Sequence, residues 1–400
     1  MSLAVSILAR RETLAEAVDA LAERYWNNEP VEDLVSGLTK TFDTLIIDLW
    51  RQHFNDTSGC ALLAVGGYGR AELHPGSDID ILVLAEKPQR HRETIEAFLR
   101  DLFDLNVEVG HSVRDIKTCV KECRGDITVA TALFERRFLT GDASLIAPLD
   151  KALQHRKIWP IEDFFIAKRD EQVARHRHYD NVDYNLEPNI KTSPGGLRDI
   201  HTTLWVCNRQ FGTTDIEELV RLEVLTDIEA RWLRDGMRFL WWVRYGLHTL
   251  AGRKEDQLHF ARQRELSQRL GFMDTESKSA VELFMQHYYR HVMALSEVND
   301  IILQYFQEDI VAKKKPTMEP LNERFRLVNR RIDVVQPDIF LKNPSAMLEM
   351  FLLMAQREEN IRVRVTAIRA LRDAVHLIDE EFRRNPENCR LFLRILKAPY

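Results

Sequence analysis

Apolar residues recur every three to four positions in "ETLAEAVDALAERYW", where Leu14, Ala17, Val18 and Leu21 share a face, and this spacing predicts helix over residues 1 to about 58. The period then shortens. "ALLAV" at 61–65 is a brief apolar run that ends on Gly66-Gly67, and "DIDILVLA" is almost continuously apolar after Asp80, as expected of strands buried on both faces. "RETIEAFLRDLFDL" returns to a helical stripe, "NVEVGHSVRD" alternates like a third strand, and "KTCVKEC" opens another helix. The order predicts a compact unit of strands and helices over residues 59–141.

From Asp142 the pattern is dominated by long helical stretches, "IEDFFIAKRDEQVARHRHYD", "DIEARWLRDGMRFLWWVRYGLHTLAG" and "KSAVELFMQHYYRHVMALSEVNDIILQYFQE". They predict a helical domain over 142–312, with Trp232, Phe239, Trp242 and Tyr245 as bundle core. "KKKPTMEP" (313–320) reads as a linker opening a segment 313–400. It is followed by a hairpin, "FRLVNRRIDVV", and two helices capped by Asn343-Pro344 and Asn385-Pro386.

Composition narrows the class. Hydrophobic residues at 45% and charged residues at 30% describe a folded globular chain, and 56 basic against 62 acidic residues give a net charge of -6. No basic, aromatic-laced stripe is present, so nucleic acid is not an expected partner. Cys60, Cys119, Cys123, Cys207 and Cys389 make no CxxC pair and leave one over, which fits a reducing compartment and neither a disulfide framework nor a zinc site. With no signal-peptide pattern and no run of 18 apolar residues, the expectation is a cytoplasmic protein that does not enter a membrane.

The candidate chemistry lies in "AVGGYGRAELHPGSDIDILVL", Ala64 to Leu84. Alternation along a strand turns Asp78 and Asp80 to one side and Ile79 and Ile81 to the other. Two neighbouring carboxylates repel and lose hydration unless a cation joins them, and Mg²⁺ sharing its shell with phosphates suits such a pair. Alone, a DxD pair is more often two caps of loops or backbone amides. Gly66 and Gly67 change that balance, because they let backbone approach a ligand and lead into a helical turn whose amides suit an anion. Ser77 adds a hydroxyl and Arg70 a charge for phosphate. The geometry implied is a triphosphate on the Gly-Gly backbone with metals on the adjacent strand, the apparatus of two-metal nucleotidyl transfer. Glu72 stands where a dinucleotide fold needs its third glycine, and no P-loop occurs. Glu108 on the neighbouring strand is the candidate third carboxylate, the alternative being an exposed strand glutamate. Lys191 and Arg198, around Pro194-Gly195-Gly196, either close the cleft over phosphates or base or belong to a structural turn.

"GGYGRAELHPGSDIDIL", "LNVEVGHSVRD", "DITVATALFERRFLTGD" and "NLEPNIKTSPGGLRDIHTTLW" together resemble the N-terminal half of the bacterial PII uridylyltransferase/uridylyl-removing family, and the likeness continues to "NERFRLVNRRIDVVQPDIFLKNPSAMLEMFLLMAQ". The Gly-Gly to DxD motif is shared across polymerase-beta-like nucleotidyltransferases, whereas the "LEPNIK…PGGLRD" block is particular to this family. The resemblance implies an α+β fold: a polymerase-beta-like nucleotidyltransferase domain, a small mixed sheet with helices, plus a mainly helical bundle domain. It implies an enzyme that transfers UMP from UTP to a tyrosine of the PII signalling protein with release of pyrophosphate, and it carries the transferase motif onto Gly66, Gly67, Asp78 and Asp80.

Family members continue into an HD hydrolase domain and glutamine-sensing ACT domains. This chain has no His-Asp dipeptide and stops at "LRILKAPY", so UMP removal and glutamine sensing are expected to be absent from it. The expected cofactor is Mg²⁺, with Mn²⁺ as a substitute, held by Asp78, Asp80 and Glu108 so as to activate the tyrosine hydroxyl and the pyrophosphate leaving group. The alternatives are an adenylyl- or other nucleotidyltransferase of the same superfamily, or a catalytically silent nucleotide-binding module.

Overall fold

A computed structural model describes residues 3–154, 158–179, 185–310, 316–357 and 361–399. By its internal contacts the chain divides into two compact units, Met1–Asn299 and Asp300–Tyr400. No helix among the described residues is long and apolar enough to cross a membrane.

The first unit opens with α1 (Leu3–Trp26) and α2 (Val31–His53) and then enters a mixed sheet built from β1 (Cys60–Ala64), the single turn α3 (Gly66–Gly69), β2 (Ile79–Ala85), α4 (Arg92–Phe103), β3 (Val109–Arg114), α5 (Ile116–Gly125), α6 (Ile127–Phe134) and β4 (Arg137–Gly141). The strand order is β3-β2-β1-β4, with β1 antiparallel to both neighbours and β2 parallel to β3. Strand β4 went unread in the sequence because its residues are only half buried and Phe138 is exposed, so no apolar run marks it.

Both faces of the sheet are covered, which is why β1 and β2 read as continuous apolar runs. Cys60, Leu62 and Ala64 with Ile79, Ile81 and Val83 pack on Leu34, Trp50 and Phe98 of α2 and α4. Ala61, Leu63, Leu82 and Leu84 face Cys119, Cys123, Ala130 and Leu133 of α5 and α6 on the other side. The two cysteines are therefore core residues.

The unit continues through α7 (Ile146–Leu153), α8 (Ile161–Arg177), α9 (Leu197–Phe211), α10 (Ile216–Arg221), α11 (Asp227–Ala251), α12 (Phe260–Arg269) and the part of α13 (Ala280–Ile310) up to Asn299. Helix α11 starts on a capping box between Thr226 and Glu229 and stops at left-handed Gly252. Of its expected core stripe only Tyr245 is fully buried. Trp232, Phe239 and Trp242 are half buried, and the last two border an open groove.

In the second unit β5 (Met318–Pro320), β6 (Phe325–Val328), β7 (Arg331–Val334) and β8 (Arg362–Val363) form a sheet in that order. The predicted hairpin is β6–β7, turned by Asn329 and Arg330 at φ 51 and 62, the mirror-image turn that suits strand twist. Part of the expected linker is instead strand β5, an exposed edge with no alternation to reveal it, while Lys313–Lys315 lie outside the described residues. Helices α14 (Ile339–Lys342), α15 (Ala346–Ala355), α16 (Val365–Ala374), α17 (Glu380–Arg384) and α18 (Pro386–Leu396) complete the unit. Asn385 caps α18, accepting from the amides of Glu387 and Asn388, as the Asn-Pro pair predicts. Asn343 does not cap α15: it closes α14, and Ser345 precedes α15 without a side-chain cap.

Candidate active site

The face of β2 that carries Leu84 and Leu82 into the core reaches Asp80 at its first turn outward, and there the apolar layer gives way to a cavity of about 210 Å³. Gly66, Gly67, Ser77, Asp78 and Asp80 all line it. Gly66 has φ +58, and a Cβ there would stand 3.3 Å from Asp80 Oδ2, so both the conformation and the carboxylate call for glycine. Across the sheet, the β2–β3 register sets Gly110 beside Asp80, and a Cβ on it would lie 2.1 Å from Oδ1. Asp80 thus rests in a slot between two glycines. Burial, and then the charge of Asp78, raise its pKa, opposed by Lys191 and Lys254.

Asp78 receives Lys254 Nζ on Oδ2 at 2.5 Å, while its Oδ1 is buried with no hydrogen-bond partner. A buried carboxylate oxygen without a donor is costly. That orphan oxygen, beside a second carboxylate whose charge is disfavoured, fits a hard divalent cation.

The opposite wall comes from "LEPNIKTSPGGLRDIH". Asn189 Oδ1 accepts the amides of Lys191 and Thr192 at 3.1 and 2.9 Å, the Ile190 amide donates to Asp256 O at 2.8 Å, and Arg198 N–H closes on Lys191 O at 2.8 Å. This stitching brings Lys191 and Arg198 to the cavity and fixes the segment that carries Lys254. Neither Lys191 nor Arg198 has an ion-pair partner among the described residues. Burial, and then the Arg244 guanidinium, lower the Lys191 amine to about 8. Burial with Arg70 nearby lowers Arg198 as well. Two desolvated cations without an ion-pair partner, over a glycine turn, form an anion site.

Several lining residues escaped the sequence reading. Helix α11 presents Trp241 and Arg244, with His248 one turn on. Arg244 Nε donates to Asp256 at 2.7 Å, and His248 accepts the Gly76 amide at Nδ1 and turns Nε2 to the same carboxylate at 3.3 Å. Although burial pushes Asp256 up, His248 and Arg244 together hold it far below the carboxylate range. Helix α9 adds His201 and Trp205 at helical spacing from Arg198, a signal the sequence did contain. The Arg70 guanidinium, expected to meet phosphate, is divided between Glu72 and Glu135 at 2.6 and 2.7 Å. His176 lies 3.0 Å from Asp199 of α9.

Glu108 is not brought to the cavity. It is exposed just before β3, where its carbonyl accepts the Ile79 amide at 2.9 Å, and Gly110 takes the place next to Asp80. Among the described residues no group of three or more His, Cys, Asp or Glu side chains is placed to hold a metal ion. Of the three carboxylates expected from the sequence, Asp78 and Asp80 line the cavity and Glu108 does not.

A mixed sheet that delivers two acids and a glycine turn to one cavity defines the class of nucleotidyltransferases, and the nucleotidyltransferase domain model matches residues 47–139. Two further models match, GlnD PII-uridylyltransferase at 163–303 and the uridylyltransferase GlnD third domain at 325–400. The chain is 44% identical over 396 residues to the bifunctional uridylyltransferase/uridylyl-removing enzymes of Pseudomonas aeruginosa (strain LESB58) and Pseudomonas putida (strain GB-1), and 43% identical to that of Ectopseudomonas mendocina. Each match covers 98% of this chain and 44% of the relative. The chain is thus similar to GlnD uridylyltransferases through successive domains and spans less than half the length of the curated relatives it matches.

Proposed function

We propose that this chain transfers UMP from UTP to a tyrosine of the PII signalling protein, with Mg²⁺ as cofactor and pyrophosphate as the leaving group. One observation carries the reading: a carboxylate pair with an orphaned buried oxygen and two unpaired cations line the same cavity above Gly66-Gly67. Asp78 and Asp80 would hold the divalent ion, which when bound lowers the pKa of a tyrosine hydroxyl, ordinarily near 10, and neutralises charge on the departing phosphates.

The chain's own groups do the rest. The first amides of the α3 turn, which the helix cannot satisfy itself, face the triphosphate with the Ser77 hydroxyl. Lys191 and Arg198 clamp it from the helical side, and their lost hydration is recovered as charge-assisted hydrogen bonds. Lys254 neutralises Asp78 until a divalent ion replaces its charge. Arg70 holds Glu72 and Glu135 in place and is a positioning residue. The acids Asp78 and Asp80, with phosphate oxygens and water, suffice for the shell of Mg²⁺, which keeps several non-protein ligands.

The test is incubation of the chain with PII, Mg²⁺ and each α-labelled nucleoside triphosphate in turn. Label on PII from UTP is the expected result. Labelling from ATP alone would move the activity to an adenylyltransferase, and no labelling from any nucleotide would leave a silent binding module.

A further inference from the structure

His201 lines the cavity in front of Asp78 and also a neighbouring cavity of about 550 Å³, and it is only 5% exposed. Arg70, Glu72, Glu135 and Trp205 border both spaces with it, so these five side chains form a shared wall. The wall is tightly bonded. Arg70 joins the two glutamates, the Trp205 indole N–H donates to Glu135, and His201 Nε2 lies 3.1 Å from Glu72 Oε2.

That last contact fixes a tautomer. Although burial opposes it, Arg70 and His201 keep Glu72 ionised, so the carboxylate only accepts and the imidazole donates from Nε2. Burial, and then the adjacent Arg70 charge, lower His201 to about 3, so the ring is neutral. Its Nδ1 is left as a lone-pair acceptor, buried and without a hydrogen-bond partner. A buried polar atom held so firmly yet unsatisfied marks a place where a ligand completes the bonding.

We infer that His201 is the residue that selects the nucleobase, its Nδ1 accepting the ring N–H of uracil. This deepens, and rests on, the reading of the cavity as a nucleoside triphosphate site. Uracil carries N3–H between two carbonyls, whereas cytosine presents a lone pair at the same ring position and would face Nδ1 lone pair to lone pair. Adenine N1 meets the same repulsion. A site that leaves its polar group unpaired against the wrong ligand discriminates more strongly than an apolar pocket can. Trp205 stands beside it, tilted 37° to the imidazole at 5.9 Å.

The test compares UTP with CTP, pyrimidines of equal size, by equilibrium dialysis with Mg²⁺ on the 400-residue chain. UTP is expected to bind about tenfold or more tighter than CTP, and His201→Ala to bring the two within about threefold by weakening UTP. Nitrogen-15 spectra of histidine-labelled protein should show His201 protonated on Nε2 in the unaltered chain, a readout that holds even if His201→Ala does not fold. A UTP-to-CTP ratio unchanged in folded His201→Ala overturns the inference and leaves the transferase reading standing, as does an Nδ1-protonated ring. Equal binding of both nucleotides by the unaltered chain also overturns it, while binding of neither removes the triphosphate site itself.

Discussion

Lys191 shows how a single side chain links burial to function. Its amine is lowered to about 8 from an ordinary 10.5, first by burial and then by Arg244. A bound triphosphate would raise it again, so nucleotide binding between those two values takes up a proton, and affinity must fall as pH rises above about 8. Titration calorimetry in two buffers of different ionisation heat should register that proton at pH 9, and Lys191→Arg, which stays charged, should abolish the pH dependence. The sign for folding is the reverse of the usual lysine case. A depressed amine is least at ease when charged, so its contribution to stability grows as pH rises from about 8 toward 10.5.

At the scale of elements, the site is a meeting of one strand end with two glycine backbones. Gly110→Ala places a Cβ 2.1 Å from Asp80 Oδ1, and β3 is tied to β2 over six register pairs, so Asp80 is the group that must move. Loss of transfer by roughly a hundredfold is expected, with overpacking that costs about 1–3 kcal/mol in chemical denaturation.

The same strand explains what the sequence made legible. Asp78, Asp80, Gly66, Gly67 and Ser77 are joined by short-range rules, alternation along a strand and a turn before a helix, and the structure brings all of them to one cavity. Lys191 and Arg198 were visible as charges around a glycine turn. Lys254 was not, because only the tertiary fold carries it across 176 residues to Asp78. Trp241 and Arg244 were hidden for a related reason: on a helix with so many apolar residues, nothing local separates the face toward a cavity from the face toward the core. Glu108 lies just before β3 and outside the cavity lining, because alternation gives a face but not how far along the strand the cavity extends.

On the scale of the whole molecule, every residue argued to bind or act lies in Met1–Asn299. The second unit is held by its own apolar cluster around Phe325, Phe340 and Met350 and by Asp333, 2% exposed, which accepts from Arg326, Arg364 and Thr366. Removing one partner of such a buried set leaves charge uncompensated, so Asp333→Ala should destabilise that unit by about 3–5 kcal/mol in denaturant unfolding. UTP affinity should stay within about twofold, since the cavity shares none of those side chains.

The most direct measurement of the central claim is single-turnover transfer of label from α-labelled UTP to PII by the unaltered chain and by Asp80→Asn, read beside the melting temperature of each. A drop on the order of a thousandfold in rate, at a melting temperature equal to or above that of the unaltered chain, is the predicted result. Near-normal transfer by Asp80→Asn would contradict the assignment of the carboxylate pair to metal-dependent nucleotidyl transfer.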